Sequence, residues 1–136
     1  MVRITRAIEF SASLRYARPE LSPEENLRLF GRFARPHGHN YRLEVTLRGK
    51  PDPVTGMLVD LKDVKAVLER EVEARFDHRD LVADTPYFEK EPATPENFAR
   101  LLFRLLAAAF PAGMLDAVRL YADGDTFVDV GAGDAA

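Results

Sequence analysis

The sequence contains no cysteine. That one absence excludes disulfides, cysteine-ligated zinc, iron–sulfur clusters and any thiolate nucleophile. Nowhere do about 18 apolar residues run together, and the opening MVRITRAIEF has no apolar stretch leading to a small-residue cleavage site. Neither a membrane span nor export is expected, and the cytoplasm is the expected location. There is also no excess of positive charge: 19 basic residues face 22 acidic ones, for a net charge of −3. Nucleic acid is therefore not an expected partner. Histidine is scarce, with His37, His39 and His78 the whole supply, so imidazole chemistry is confined to two places. What remains is ordinary for a folded domain. With 136 residues, 46% hydrophobic and 30% charged, the chain suits one domain spanning 1–136 with a single core.

Hydrophobic periodicity divides the chain into elements. Val2, Ile4, Ile8, Phe10 and Ala12 share one parity against Arg3, Thr5, Glu9 and Ser11, which predicts a strand with one buried face. Ser22-Pro23-Glu24-Glu25 has the spacing of a capping box with proline at the first helical position, so a short helix should run to about Phe30. Alternation returns from His39, with Tyr41, Leu43, Val45 and Leu47 facing one way. Asp60 should cap a helix whose stripe is Leu61, Val64, Leu68, Val72 and Phe76. Thr94-Pro95 should open another, carrying Phe98, Leu101, Leu102, Leu105 and Ala109 until Pro111 and Gly113 end it. Two further strands are predicted over about 115–122 and 125–130, joined by a two-residue turn at Asp123-Gly124, with GAGDAA as a frayed tail. The order predicts an α+β fold: a four-stranded antiparallel sheet with helices on one face. Its unpaired edges favour a homo-oligomer.

Two clusters could carry chemistry. In Pro36-His37-Gly38-His39 the histidines sit at i and i+2, so in an extended chain both imidazoles face one side and could approach one metal ion. Alternatively the segment is a turn with partly exposed histidines. Asp77-His78 pairs a carboxylate with an imidazole, which can fix the tautomer and raise basicity for proton transfer. Alternatively it is a polar helix terminus, with the imidazole complementing the helix dipole.

Taken in order, Phe10-Ser11-Ala12-Ser13, Phe30-Gly31-Arg32, His37-Gly38-His39-Asn40-Tyr41, Gly56-Met57-Leu58-Val59-Asp60-Leu61, Asp77-His78-Arg79-Asp80-Leu81 and Thr94-Pro95-Glu96-Asn97 resemble the 6-pyruvoyltetrahydropterin synthase family. That family includes the 6-carboxytetrahydropterin synthases of queuosine-precursor synthesis. The resemblance implies the tunnelling fold, or T-fold, with ββααββ subunits forming trimeric barrels that stack into hexamers, pterin sites between subunits, and a carbon–oxygen lyase activity. It implies zinc held by three histidines, two of them matching His37 and His39, and a proton-transferring pair matching Asp77 and His78.

The chain departs from the family pattern at three places: Leu14 stands where the third histidine is expected, Phe33 where a cysteine base is expected, and Ala122 where a glutamate should anchor the pterin. Leucine offers no donor atom, and two histidines with water bind zinc weakly compared with three protein ligands. Phenylalanine accepts no proton. Two functions follow as expectations: an enzyme on a pterin or related small molecule with altered chemistry, or a non-catalytic oligomer serving as a binding or scaffold protein.

Overall fold

A computed structural model describes residues 1–134. Its elements are β1 (Val2–Leu14), α1 (Pro23–Phe30), β2 (His37–Gly49), α2 (Leu61–Leu68), α3 (Ala74–Phe76), β3 (Arg79–Asp80), α4 (Pro95–Ala109), β4 (Leu115–Tyr121) and β5 (Phe127–Gly131). A 3₁₀ turn, Gly31–Ala34, follows α1, and a π-helical segment, Glu69–Glu73, joins α2 to α3.

The sheet has five strands in the order β3-β1-β2-β4-β5, where the sequence predicts four. The additional strand is two residues of the Asp-His segment, pairing parallel to the end of β1 as Ala12↔Arg79 and Ser13↔Asp80. The long antiparallel ladder between β1 and β2 runs in unbroken register from Val2↔Gly49 to Leu14↔His37. Gly38 suits this ladder because a Cβ there would lie 3.3 Å from the Ala12 carbonyl oxygen.

Register decides which side chains enter the core. Phe10, Ala12 and Leu14 of β1 and Tyr41, Leu43, Val45 and Leu47 of β2 are all buried on one face. In β4 the buried residues are Leu115, Val118 and Leu120, a break in parity that a bulge absorbs where the register slips between Thr46↔Ala117 and Leu47↔Leu115. Helices cover this face. Phe98 of α4 lies at the centre, its ring meeting those of Phe10, Tyr41, Phe76 and Phe88 at 5.0–6.0 Å. The opposite face is polar, carrying Thr5 hydrogen-bonded to Thr46 and the pairs Arg3–Asp116 and Arg119–Asp129.

Helix boundaries follow local chemistry. Ser22 and Glu25 form the reciprocal capping box, and Asp60 and Thr94 accept from the first turns of α2 and α4. The predicted stripe Val64, Leu68, Val72 and Phe76 is buried throughout, but Leu61 is exposed. Steps of four drift by about 40° per turn in a regular α-helix, and the wider turn at Glu69–Glu73 takes up that drift. The predicted two-residue hairpin turn is instead the loop 122–126, because Asp123 Oδ1 accepts from the amides of Asp125 and Thr126 and holds a broader turn. Of the predicted tail, Gly131 ends β5, while residues 135–136 lie outside the described residues.

Candidate functional site

Three segments meet where β1 ends: the start of β2, the 3₁₀ turn before it, and the corner from α3 into β3. Alternation along β2 puts His37 and His39 on one side, with ring centroids 5.3 Å apart. They sit in a column of aromatic rings. Tyr16 and Phe33 flank His37 at 5.7 and 5.6 Å and stack on each other at 5.4 Å. Tyr41 follows His39 at 5.5 Å and leads to Phe10.

His37 Nδ1 lies 2.9 Å from the Arg35 carbonyl oxygen. A carbonyl can only accept, so Nδ1 donates, and Nε2 of the neutral ring carries the lone pair. That Nε2 is buried and has no hydrogen-bond partner among the described residues. Burial lowers the His39 pKa, with repulsion from His37 adding to it, while Asp123 and the Ala122 main chain oppose the shift.

A lone pair on a buried nitrogen would suit a metal, but the surrounding donor set is too small. Leu14, cross-strand partner of His37, is fully buried in the core. Phe33 is 41% exposed and rests on Tyr16. Among the described residues no group of three or more histidine, cysteine, aspartate or glutamate side chains is placed to hold a metal ion. The residues present therefore do not fit the three-histidine zinc site that the family resemblance implies, with Leu14 at the third position.

The Asp-His corner is differently built. Phe76, fully buried, anchors the end of α3. Asp77 then turns its carboxylate back so that Oδ1 accepts from the Ser11 amide at 3.0 Å and from His78 Nδ1 at 2.9 Å. The Ser11 main-chain amide, followed by the imidazole hydrogen bond, holds the Asp77 carboxyl below its usual pKa against the opposing effect of burial. His78 adopts a left-handed backbone, φ 58°, and its amide donates to the Ser11 carbonyl at 2.6 Å. Non-glycine residues seldom take this conformation. Here it leaves the imidazole side chain 83% exposed.

An open cavity of about 500 Å³ lies beside this corner, lined by Ser11, Ser13, His39, Asn40, His78 and Arg79, among others. Thus the structure brings His39 and His78 to one cavity and leaves His37 in the aromatic column, outside its lining. Sequence reasoning missed Ser11 and Asn40, whose side chains share a 2.6 Å hydrogen bond on the cavity wall. Their only signal was position: each lies within a motif whose neighbours drew attention first.

Residues 3–131 match the protein-family model described as 6-pyruvoyl tetrahydropterin synthase. The chain belongs to that family. Curated relatives named 6-pyruvoyl tetrahydrobiopterin synthase include one from Pongo abelii, 43% identical over 88% of this chain and 83% of its own. Another, from Homo sapiens, is 42% identical with the same coverage. Among solved structures, the Caenorhabditis elegans 6-pyruvoyl tetrahydropterin synthase superposes with a TM-score of 0.88 at 32% identity, covering 96% of this chain and 94% of that one. The α+β architecture is accordingly the T-fold. The uncharacterized protein WS1659 from Wolinella succinogenes shares the fold, with a TM-score of 0.73 at 18% identity over 96% of this chain and 98% of its own.

Proposed function

We propose that this chain is a proton-transferring member of the 6-pyruvoyl tetrahydropterin synthase family that acts on a pterin or closely related small molecule without the family's three-histidine zinc. The observation carrying this is the Asp77–His78 pair, held by both hydrogen-bonding groups of the Ser11 main chain, with His78 lining an open cavity. Asp77 accepts at Nδ1 and so keeps the proton there. His78 Nε2 is then the nitrogen left to take a proton from a substrate carbon or hydroxyl and return it, while the carboxylate stabilises the imidazolium formed. Leu14 and Phe33 support a changed reaction: the first removes a donor and the second offers no proton acceptor. Ala122 likewise lacks the carboxylate that could grip the donor edge of a pterin. The proposal includes assembly into a homo-oligomer, trimeric or hexameric, in the cytoplasm.

The test is incubation of the purified protein with dihydroneopterin triphosphate in D₂O, following deuterium incorporation and triphosphate release, beside metal analysis. Exchange is expected with zinc well below one per chain, insensitive to chelator and lost in His78→Asn. A second reading, a non-catalytic binding or scaffold oligomer, is favoured by the complete burial of Leu14 in the core. Absence of both exchange and pterin binding would overturn the first reading.

A further inference from the structure

His78 is the one non-glycine residue with positive φ among the described residues. A side-chain-bearing residue keeps that backbone only where the structure fixes it on both sides. On the upstream side Ser11 does this, its amide donating to Asp77 and its carbonyl accepting from the His78 amide. On the downstream side stands β3, and a strand of two residues has little pairing of its own to offer.

Asp80 supplies what that strand lacks. Its Oδ2 accepts from the Ser13 hydroxyl at 2.8 Å, and its Oδ1 accepts from the amides of Val82 and Ala83 at 3.0 and 2.8 Å. One carboxylate thus ties a side chain of β1 to the turn that follows β3. Asp84 closes the same turn again, accepting from the Asp80 amide at 2.8 Å and donating its own amide to the Asp80 carbonyl at 3.0 Å. Burial raises the Asp80 pKa, but the Ala83 amide, the Ser13 hydroxyl and the Val82 amide outweigh it, with Arg15 adding to them, and the carboxyl sits below its usual value. Ser11 and Ser13, two apart on one face of β1, therefore anchor the chain on either side of His78.

We propose that Asp80 is a positioning residue for His78: by tying Ser13 to the turn at Val82 and Ala83 it holds β3 on β1, and with it the left-handed backbone that presents His78 Nδ1 to Asp77. The proposal rests on the proton-transfer reading of His78. It concerns bonds within one chain, so it applies equally where a neighbouring subunit completes the surroundings of the substrate. Without the Asp80 carboxylate, His78 relaxes to negative φ and Nδ1 leaves the Asp77 oxygen now 2.9 Å away. The proton is then no longer confined to Nδ1, and Nε2 ceases to be a fixed acceptor.

In protein labelled with ¹⁵N-histidine, long-range proton–nitrogen spectra at a pH where the rings are neutral show which nitrogen of His78 carries the proton. In the parent it should be Nδ1. Asp80→Ala should move it toward Nε2 and slow deuterium exchange into dihydroneopterin triphosphate on the order of 100-fold, with a smaller change in KM. Asp80→Asn should restore both, since its oxygen accepts from the two amides and its Nδ2 donates to the Ser13 oxygen. Should Asp80→Ala fail to fold, Ser13→Ala removes the tie to β1 alone and carries the same comparison. A lower melting temperature with the proton still on Nδ1 would make Asp80 a structural residue only and overturn the proposal, leaving the His78 reading intact. If the parent exchanges no deuterium, the His78 reading falls, while the position of the ring proton still decides what Asp80 does.

Discussion

At residue scale, Leu14 decides which atoms stand across the ladder from His37. It occupies the same face of β1 as Phe10 and Ala12, opposite His37, and is fully buried. Replacing it by histidine puts a third imidazole beside two existing ones and a polar group into an apolar site. Leu14→His should therefore lose about 2 kcal/mol without metal and recover stability as zinc is added, because binding to the folded state alone shifts the unfolding equilibrium. Urea titrations with zinc and with chelator check this; equal midpoints would show that the surrounding geometry forbids coordination. Asp77 makes a second prediction. Its pKa is below the ordinary 3.8 in the folded chain, so its contribution to stability is complete above that value and declines as pH falls through the lowered one. Thermal unfolding below about pH 4 should therefore depend less steeply on pH in Asp77→Asn than in the parent.

At the scale of elements, regular periodicity was legible and irregular connection was not. The alternation of β2 and the Ser22–Glu25 box specify their elements because each uses local chemistry that repeats or reciprocates within a few residues. The two residues of β3 have no period to read; their pairing depends on β1, which lies 67 positions earlier for Ser13 and Asp80. The wider turn at Glu69–Glu73 was hidden because its neighbours Val64, Leu68, Val72 and Phe76 still look like a helical stripe. Around the candidate site, His37, His39, Asp77 and His78 stand out in the sequence by residue type, whereas Ser11 holds the Asp-His corner through its main chain, which no residue type announces. The extra residue of the wider turn can be tested. Deleting Arg70, whose side chain is 61% exposed, restores steps of four, three and four to the buried stripe, which suits a regular helix. The variant should unfold cooperatively, within a few degrees of the parent by circular dichroism. A loss of cooperativity would show that the wider turn is required for packing.

At the scale of the whole molecule, the two faces of the sheet are chemically distinct. One face and the helices over it form the aromatic core centred on Phe98, while the other carries hydroxyl and ion-pair ladders. Such exposed pairs add little stability individually. The outer strand edges remain: β5 at one side and, from Val2 to Phe10, β1 at the other. Unpaired edges of this length are sites for strand addition. Sedimentation at micromolar concentration should show a species of at least three chains, and a monomer at all concentrations would contradict that expectation.

The Asp77 carboxylate gives this edge a defined terminus. By capturing the Ser11 amide, it consumes the first donor that an incoming strand would need beyond Phe10. Any neighbour extending the ladder has about 30 Å of backbone to join and must stop there. The His78 imidazole, 83% exposed, consequently borders the end of that seam.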